Sequence, residues 1–164
     1  MSDKAFQDYY LDEMSHCYGC GRLNENGLQI KSYWDGDEAV CVYRPRAYHT
    51  AVPGYVYGGL IASLIDCHST GTAAAAAFKA AGSVPGTESD YRFLTASLHV
   101  DYLKPTPIDG ELTIRAQVKE IKGRKVVIAC VLYAGDLAYA KGEVVAVQAP
   151  DEFVEKLLSR TNVD

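Results

Sequence analysis

The spacing of apolar residues predicts one long helix in the first half of the chain. Behind Gly58-Gly59, apolar side chains recur at helical spacing and pass into an alanine-rich tract that ends near Ala81. Gly82 is expected to end this helix, because glycine enters the left-handed conformation freely.

The remaining apolar positions alternate and predict strands. A hairpin over 28–43 turns at Asp35-Gly36-Asp37, and further strands are expected over 93–103, 111–121, 126–134 and 137–147. Turns at Lys122-Gly123-Arg124 and Gly135-Asp136 join the last three strands. Elsewhere we expect a short helix over 3–13, a turn over 19–27, loops over 44–57 and 83–90, and a C-terminal helix over 152–158 capped by Asp151.

These elements predict an α+β domain. Long antiparallel strands and a single apolar helix bury both apolar surfaces when a curved antiparallel sheet wraps around the helix. The length of 164 residues fits one domain over 1–164. Within it, we expect an N-terminal helix and turn over 1–27 and a C-terminal helix and tail over 151–164.

Composition argues against several classes of protein. A net charge of −5 disfavours a nucleic-acid-binding face, and no apolar run is long enough to span a membrane. The N-terminus lacks the basic and apolar segments of a secretory signal, so a cytoplasmic location is expected. The five cysteines are expected to be reduced thiols rather than a disulfide framework.

Asp66 is the acid within the apolar helix and the leading candidate for chemistry, because a carboxylate there is costly unless it is paired or functional. On a helical wheel it lies on a face of small residues, opposite the side that must pack on the sheet. The small face holds Gly59, Ala62, Ser63, Asp66, Thr70 and Ala73, and the sheet-facing side holds Leu60, Ile61, Leu64, Ile65, His68, Gly71, Thr72 and Ala75. Asp66 is therefore expected to meet a second subunit, a ligand or both. A salt bridge to a partner chain is the structural alternative.

The wheel separates Asp66 from His68, the histidine two positions later. Residues i and i+2 of a helix do not face each other, so His68 is interpreted as a structural histidine packed under the sheet. His49, in the preceding loop, is interpreted as a solvated residue, with a position at the mouth of a site as the alternative.

Gly58 and Gly59 open the same helix. Without a Cβ they let a ligand or another chain approach the backbone, and the free N–H groups of a first helical turn attract negative charge. An acid and an electrophilic helix end on one element are the two halves of an acyl-transfer site.

Three segments together resemble one family. Gly58-Gly59 followed by Leu64 and Asp66 resembles the H-G-G-x-x-x-x-L-x-D segment of the hotdog-fold acyl-CoA thioesterases of the phenylacetyl-CoA type. The stretch over 94–107 resembles the strand that follows in that family, with its T-A-x-L and Y-x-(K/R)-P pattern. The segment Cys17-Tyr18-Gly19-Cys20-Gly21, with Asn24, Gly27 and Leu28, resembles the C-x-G-C-G…N…G-L start of some members.

The resemblance implies a fold, an activity and residue roles. It implies a homodimer or tetramer of hotdog domains, with sheets joined edge to edge and active sites at the subunit interface. The implied reaction is hydrolysis of an acyl-CoA thioester, with no cofactor beyond the coenzyme A of the substrate. Asp66 is the implied base or nucleophile, Gly58 or Gly59 the donor that polarises the carbonyl, and Thr95 the group that positions water.

Tyr57 departs from the family, which often has histidine before the two glycines. A phenol can hydrogen-bond a carbonyl, but it is no base at neutral pH. Two other functions therefore stay open: a non-catalytic acyl-CoA-binding or regulatory protein, and another thioester enzyme such as an enoyl-CoA hydratase. The hydratase is less favoured, because it would need a histidine–acid pair around the thioester.

Two further groups carry weaker signals. The first group consists of basic residues at strand ends and turns. Their side chains are usually solvated, and the alternative is that they contact the phosphates of coenzyme A. The residues concerned are Lys104 with Pro105, Arg124 and Lys125. The amphipathic side chains Tyr55, Tyr57, Tyr91 and Tyr102 are candidates to line an acyl pocket.

The segment His16-Cys17-x-x-Cys20 contains one pair of zinc-ligand type, with Cys41 as a distant fourth ligand. Structural zinc sites usually have two such pairs, so the favoured interpretation is a tight turn with buried thiols and no metal. Cys67 has no visible activating partner in the sequence and is not interpreted as a nucleophile.

Overall fold

The computed structural model describes residues 3–83 and 92–160. Two short 3-10 helices, Phe6–Tyr9 and Asp12–Met14, precede the main elements. In chain order these are β1 (Ser32–Asp35), β2 (Glu38–Tyr43), β3 (Thr50–Val52), β4 (Tyr55–Val56), α1 (Gly58–Ala81), β5 (Phe93–Tyr102), β6 (Leu112–Lys122), β7 (Lys125–Ala134), β8 (Leu137–Gln148) and α2 (Asp151–Arg160).

Six strands form one antiparallel sheet in the order β1-β2-β6-β7-β8-β5. The register places Ile114 opposite Leu132 and Ile128 opposite Val144, so apolar side chains line one face. A β-bulge between Thr95 and Ser97 in β5 adds bend and twist to that strand. β5 lies at one edge of the sheet, and no strand of the described residues pairs with its outer side.

The helix α1 packs across the sheet and contacts β5, β6, β7 and β8. All eight residues that the wheel assigned to the sheet-facing side are buried. Gly142 on β8 marks a close approach, because a Cβ there would lie 2.5 Å from Cγ2 of Ile65. The prediction of an α+β domain, with one long helix against an antiparallel sheet, is confirmed.

The bounds of α1 match the sequence prediction. Gly82 follows the helix with a φ of 63°, and its N–H bonds to the carbonyls of Phe78 and Lys79. The helix therefore ends where glycine permits the left-handed conformation.

Two local predictions were wrong. The helix expected over 3–13 is two short 3-10 turns, held to the sheet where Gln7 Oε1 accepts the N–H of Ser32 at 2.9 Å. The loop expected over 44–57 contains the hairpin of β3 and β4, which turns at Gly54 with a φ of 88°. The loop predicted over 83–90 lies, apart from Ser83, outside the described residues.

His68 is buried under the sheet as predicted. Its Nε2 lies 3.2 Å from the carbonyl of Ala39, and its Nδ1 lies 2.9 Å from Oγ of Ser32. Because a carbonyl only accepts, Nε2 carries the proton and Nδ1 accepts from the serine. Burial lowers the pKa of His68 from 6.5 to about 4, so the imidazole is neutral in the fold.

Acid should destabilise the fold through His68. Between pH 6.5 and about 4 the unfolded chain binds a proton there that the folded chain does not, so stability falls as pH falls through this window. The loss should reach about 3 kcal/mol, seen as a falling free energy of unfolding in urea titrations. In His68→Gln, which does not titrate, this part of the pH dependence should vanish. If the His68→Gln variant lost stability to the same extent between pH 6.5 and about 4, this pH dependence would not come from His68.

Candidate active site

Asp66 lies on the half-buried side of α1 and faces β5, the edge strand of the sheet. Gly59, Ala62, Ser63 and Thr70 share that partial exposure, as the wheel predicted. Ala73 was assigned to the same face but is fully buried. It belongs to the alanine tract over 73–76, in which every residue is buried.

Thr95 on β5 contacts Asp66. Its hydroxyl donates a hydrogen bond to Oδ1 of the carboxylate, from a position opposite Ala146 and just before the β-bulge. Within residues 3–83 and 92–160, Thr95 is the one hydrogen-bond partner found for this carboxylate. Because Thr95 occupies Oδ1, the second oxygen can accept a proton from a water molecule or a ligand.

The N-terminal turn of α1 is uncapped. Tyr57 precedes it without a side-chain cap, and the first turn holds no acidic residue. The N–H of Leu60 bonds to the Tyr57 carbonyl at 3.0 Å, whereas the described part of the chain offers no acceptor to the N–H of Gly58 or Gly59. Two free N–H groups at the positive end of a long helix suit a negatively charged oxygen.

Two tyrosines surround these glycines. Tyr102 of β5 donates its hydroxyl to the carbonyl of Gly58 at 2.9 Å. A Cβ on Gly59 would collide with the ring of Tyr57, so this phenol lies directly over the glycine. Tyr57 is 59% exposed and forms an outer wall beside the free N–H groups. Tyr55 is also exposed, and Tyr91 lies outside the described residues.

The acid and the glycines are separated along the helix. At about 1.5 Å per residue, the seven steps from Gly59 to Asp66 place them roughly 10 Å apart. The glycines and the acid therefore lie about two helical turns apart.

A cavity of about 370 Å³ opens beside the acid. Asp66 and Thr95 line one part of it, and Arg92 lines another. Phe153 and Leu157 of α2 form a further wall, so the predicted C-terminal helix borders the site. Sequence reasoning missed Arg92, because no motif marks it.

Three thiols line the same cavity. The Sγ atoms of Cys17, Cys20 and Cys67 lie within 4.8 Å of one another. Cys67 therefore has partners, which corrects the expectation from sequence, and Cys41 is not among them because it is buried in β2. Hydrogen bonds from the Cys20 and Cys67 thiols lower the pKa of Cys17 to about 2, and the same contact raises the pKa of Cys20 to about 12.

Among the described residues, no histidine side chain bonds to Asp66. His49 is half-buried rather than solvated, and its ring contacts those of Tyr43 and Tyr48. Its carbonyl accepts the N–H of Tyr57 at 2.8 Å. The backbone of His49 thus fixes Tyr57, the residue before the glycines. The His49 side chain does not bond to Asp66.

The basic residues predicted to meet coenzyme A are not together in one chain. Lys104 and Pro105 follow the end of β5, where the Lys104 ammonium lies over the Tyr139 ring. Arg124 donates to the carbonyl of Gln148, and Lys125 pairs with Glu120 at 2.6 Å. Gln148 lies opposite Phe93, so the two groups lie at opposite ends of the ten-residue β5 strand, roughly 30 Å apart.

A model of the Thioesterase superfamily matches residues 53–141, which is more than half of the chain. The chain belongs to the Thioesterase superfamily. The matched segment contains the glycines, Asp66, Thr95 and the basic residues, whereas Cys17 and Cys20 lie before it.

The chain is also similar to individual proteins and solved structures. Acyl-coenzyme A thioesterase THEM4 of Rattus norvegicus is 29% identical, over 81% of this chain and 56% of that protein. A thioesterase superfamily protein from Shewanella loihica is 45% identical, with a TM-score of 0.66 over 86% of this chain and 100% of that one. The E. coli PaaI protein of the phenylacetic acid degradation operon, at 17% identity and a TM-score of 0.60, covers 75% of this chain and 81% of that one and shares the fold.

The chain spans about half the length of the curated relatives it matches. The hotdog fold expected from the sequence is confirmed by these likenesses together with the sheet order. None of the helices within residues 3–83 and 92–160 has the length and hydropathy needed to cross a membrane.

Proposed function

We propose that the chain hydrolyses an acyl-CoA thioester to the free acid and coenzyme A, at a site completed by a second copy of the chain. The observation that carries the proposal is the hydrogen bond from Thr95 to Asp66, on a helix whose N-terminus keeps two N–H groups free. Membership of the Thioesterase superfamily and the likeness to an acyl-coenzyme A thioesterase support the substrate class.

Asp66 would act as base or as nucleophile. As base, it takes a proton from a water that Thr95 helps to hold, and the water oxygen attacks the carbonyl carbon. The C–S bond then breaks, and the coenzyme A thiolate takes the proton from Asp66. As nucleophile, Asp66 attacks the carbon itself, the thiolate leaves, and water hydrolyses the mixed anhydride.

The N–H groups of Gly58 and Gly59 would stabilise the negative charge on the carbonyl oxygen in either case. One such donor lowers the activation barrier by roughly 3 kcal/mol. The phenol of Tyr57, which lies over Gly59, can donate a further hydrogen bond to that oxygen.

A second copy would offer the acid a helix N-terminus nearer than the one on its own helix, where the Gly59 and Asp66 backbones lie roughly 10 Å apart. A two-fold axis beside β5 would bring the N-terminus of one helix towards the acid of the other. The β5 edge supports this placement, because it is unpaired in the described chain and exposes Leu94, Leu98 and Tyr102. A homodimer is the smallest such assembly, and a tetramer would contain two of them.

The same pairing would gather the basic residues. In two antiparallel β5 strands, the end that carries Lys104 and Pro105 in one copy lies near the Arg124 and Lys125 end of the other. We place the coenzyme A phosphates there. A cytoplasmic location is part of the proposal, since the five cysteines are free thiols.

Introducing a charge on β5 should break the assembly. Leu98→Asp places a carboxylate on the exposed apolar row, so the protein should sediment as a monomer and lose at least 10-fold in hydrolysis rate as the composite site dissociates. Analytical ultracentrifugation and thioester assays measure both effects. Leu137→Asp, at an exposed leucine beginning β8, is the matched control and should leave both unchanged. A Leu98→Asp variant that stays dimeric would refute the β5 interface.

The proposed function is tested with a panel of aryl, short-chain and long-chain acyl-CoA esters. Release of the free acid is measured by mass spectrometry, because the protein's own thiols would react with reagents that detect coenzyme A. Hydrolysis of at least one ester is expected. Binding of acyl-CoA without turnover would instead support a regulatory protein, and hydration of an enoyl-CoA would support the hydratase.

A further inference from the structure

Cys17, Cys20 and Cys67 form a cluster that the proposed hydrolysis does not use. Two of them come from the turn before β1, and the third comes from the middle of α1. Their Sγ atoms all lie within 4.8 Å of one another, and those of Cys17 and Cys67 lie 3.8 Å apart. Side chains distant in sequence therefore present three sulfur atoms to one point.

The 3.8 Å between the Cys17 and Cys67 sulfur atoms matches the spacing of two thiolates on one metal ion. With metal–sulfur bonds of about 2.3 Å and tetrahedral angles, neighbouring sulfur atoms lie about 3.8 Å apart. A disulfide would instead require about 2.05 Å between two of them and would leave the third cysteine unused.

The turn that carries Cys17 and Cys20 is built to present its sulfur atoms. The N–H groups of Gly19 and Cys20 point at the Cys17 sulfur, and the N–H of Gly21 bonds to the Cys17 carbonyl at 2.8 Å. A Cβ on Gly19 would collide with Sγ of Cys67, so only glycine lets the turn lie this close to α1. Further backbone bonds hold the turn, including Ile30 N–H to the Gly19 carbonyl at 3.0 Å.

The charge around the cluster is also complementary. Three thiolates and a divalent ion carry a net charge of −1, which a nearby cation would offset. The guanidinium of Arg92 lines the same cavity, interacts with Cys20 and is fixed by a 2.8 Å hydrogen bond to the Met14 carbonyl.

We propose that Cys17, Cys20 and Cys67 bind one soft divalent metal ion, with Zn²⁺ as the test ion. Within residues 3–83 and 92–160 no histidine, aspartate or glutamate joins the cluster, so water or an added ligand would take the fourth position. The ion would fasten the N-terminal segment to α1 at the residue that follows Asp66. This role is independent of the hydrolysis proposed above.

The test measures metal binding and needs no activity assay. The whole chain is prepared with its thiols reduced and metal-free, then titrated with Zn²⁺ against a chelator and with Co²⁺ by absorption spectroscopy. We expect one ion per chain, sulfur-to-cobalt charge-transfer bands and the intense visible bands of a tetrahedral site. Zn²⁺ should also raise the melting temperature, because the site exists only in the folded chain.

Single substitutions locate the site. Cys17→Ser, Cys20→Ser and Cys67→Ser should each weaken Zn²⁺ binding by more than the roughly 10–100-fold that follows loss of a supporting contact. Cys130→Ala removes a cysteine outside the cluster and should bind Zn²⁺ like the unmodified chain. If Cys67→Ser fails to fold, the two turn variants carry the test, since Cys17 is exposed.

Several results would overturn the metal site. These are the absence of Zn²⁺ binding by the reduced chain, binding that the serine variants retain, and cobalt spectra without sulfur bands. A Cys17–Cys67 disulfide in chain purified without added oxidant, with no metal bound after reduction, would assign the cluster to thiol oxidation instead. None of these results bears on the thioester assay, so the two proposals fail separately.

Discussion

Replacement of Asp66 by asparagine is expected to lower kcat/KM for acyl-CoA hydrolysis by roughly 10³-fold while the fold is retained. Asparagine keeps the shape and can still accept the hydrogen bond from Thr95, but it can neither take a proton from water nor attack a carbonyl. Because Asp66 is partly exposed and asparagine keeps its hydrogen bond to Thr95, the free energy of unfolding should change by no more than about 0.5 kcal/mol. Steady-state kinetics and urea unfolding measure the two effects.

Two variants control this experiment. Asp136→Asn removes an exposed acid from the turn between β7 and β8 and should leave kcat/KM unchanged. Thr95→Val keeps the shape of the side chain but removes its hydroxyl, and should cost about 10–100-fold, as expected for one hydrogen bond to a charged group. If Asp136→Asn lowered kcat/KM as much as Asp66→Asn, the assignment of Asp66 as base or nucleophile would be wrong.

Filling the space at Gly142 should have the largest effect on stability. A Cβ there would lie 2.5 Å from Cγ2 of Ile65 and 3.0 Å from Sγ of Cys130, both within the core. Gly142→Val should therefore destabilise the protein by roughly 3 kcal/mol, the upper end for overpacking. For a domain of this size that corresponds to a melting temperature lower by about 10 °C, measured by calorimetry.

Lys141→Val is the matched control for this substitution. It places the same side chain one position earlier on β8, on the exposed face of the sheet. Valine favours strands, so stability should stay within about 0.5 kcal/mol of the original. A Gly142→Val variant as stable as the Lys141 variant would mean that α1 does not approach β8 as closely as described.

The sequence predicted the elements whose signals are local. The apolar repeat behind Gly58 and the glycine at position 82 gave the bounds of α1, and alternation gave the long strands β5 to β8 within one or two residues. Burial of His68 followed from its position on the wheel. These predictions were correct because each feature is determined by residues a few positions apart in the sequence.

Features that depend on distant contacts were missed. The segment over 3–13 forms 3-10 turns because Gln7 bonds to Ser32 on the sheet, and β3 and β4 are too short for a pattern to mark them. Likewise the sequence separates Cys17 and Cys67 by fifty positions, so only the fold brings their sulfur atoms together. The Cys-x-x-Cys spacing marks only Cys17 and Cys20, two of the three members of that cluster.

The candidate site also contains residues that local sequence signals identified and residues that they did not. Asp66 was identified from its isolation in an apolar helix, and the free N–H groups were expected from the two glycines. Thr95 entered through family resemblance, since nothing in the spacing connects a strand residue to a helix residue 29 positions away. The separation of Lys104 from Arg124 follows from strand order, which periodicity does not determine.

The proposed hydrolysis is best tested by one paired measurement on the chain and its Asp66→Asn variant. For each, kcat/KM is determined from free-acid release, and Kd is determined for a thioether analogue of the best substrate, which binds but cannot be hydrolysed. We predict a kcat/KM ratio of roughly 10³ with Kd values that agree within a few-fold, since the loss lies in the chemical step. Equal kcat/KM values, or binding of the analogue by a chain that hydrolyses no acyl-CoA, would contradict it.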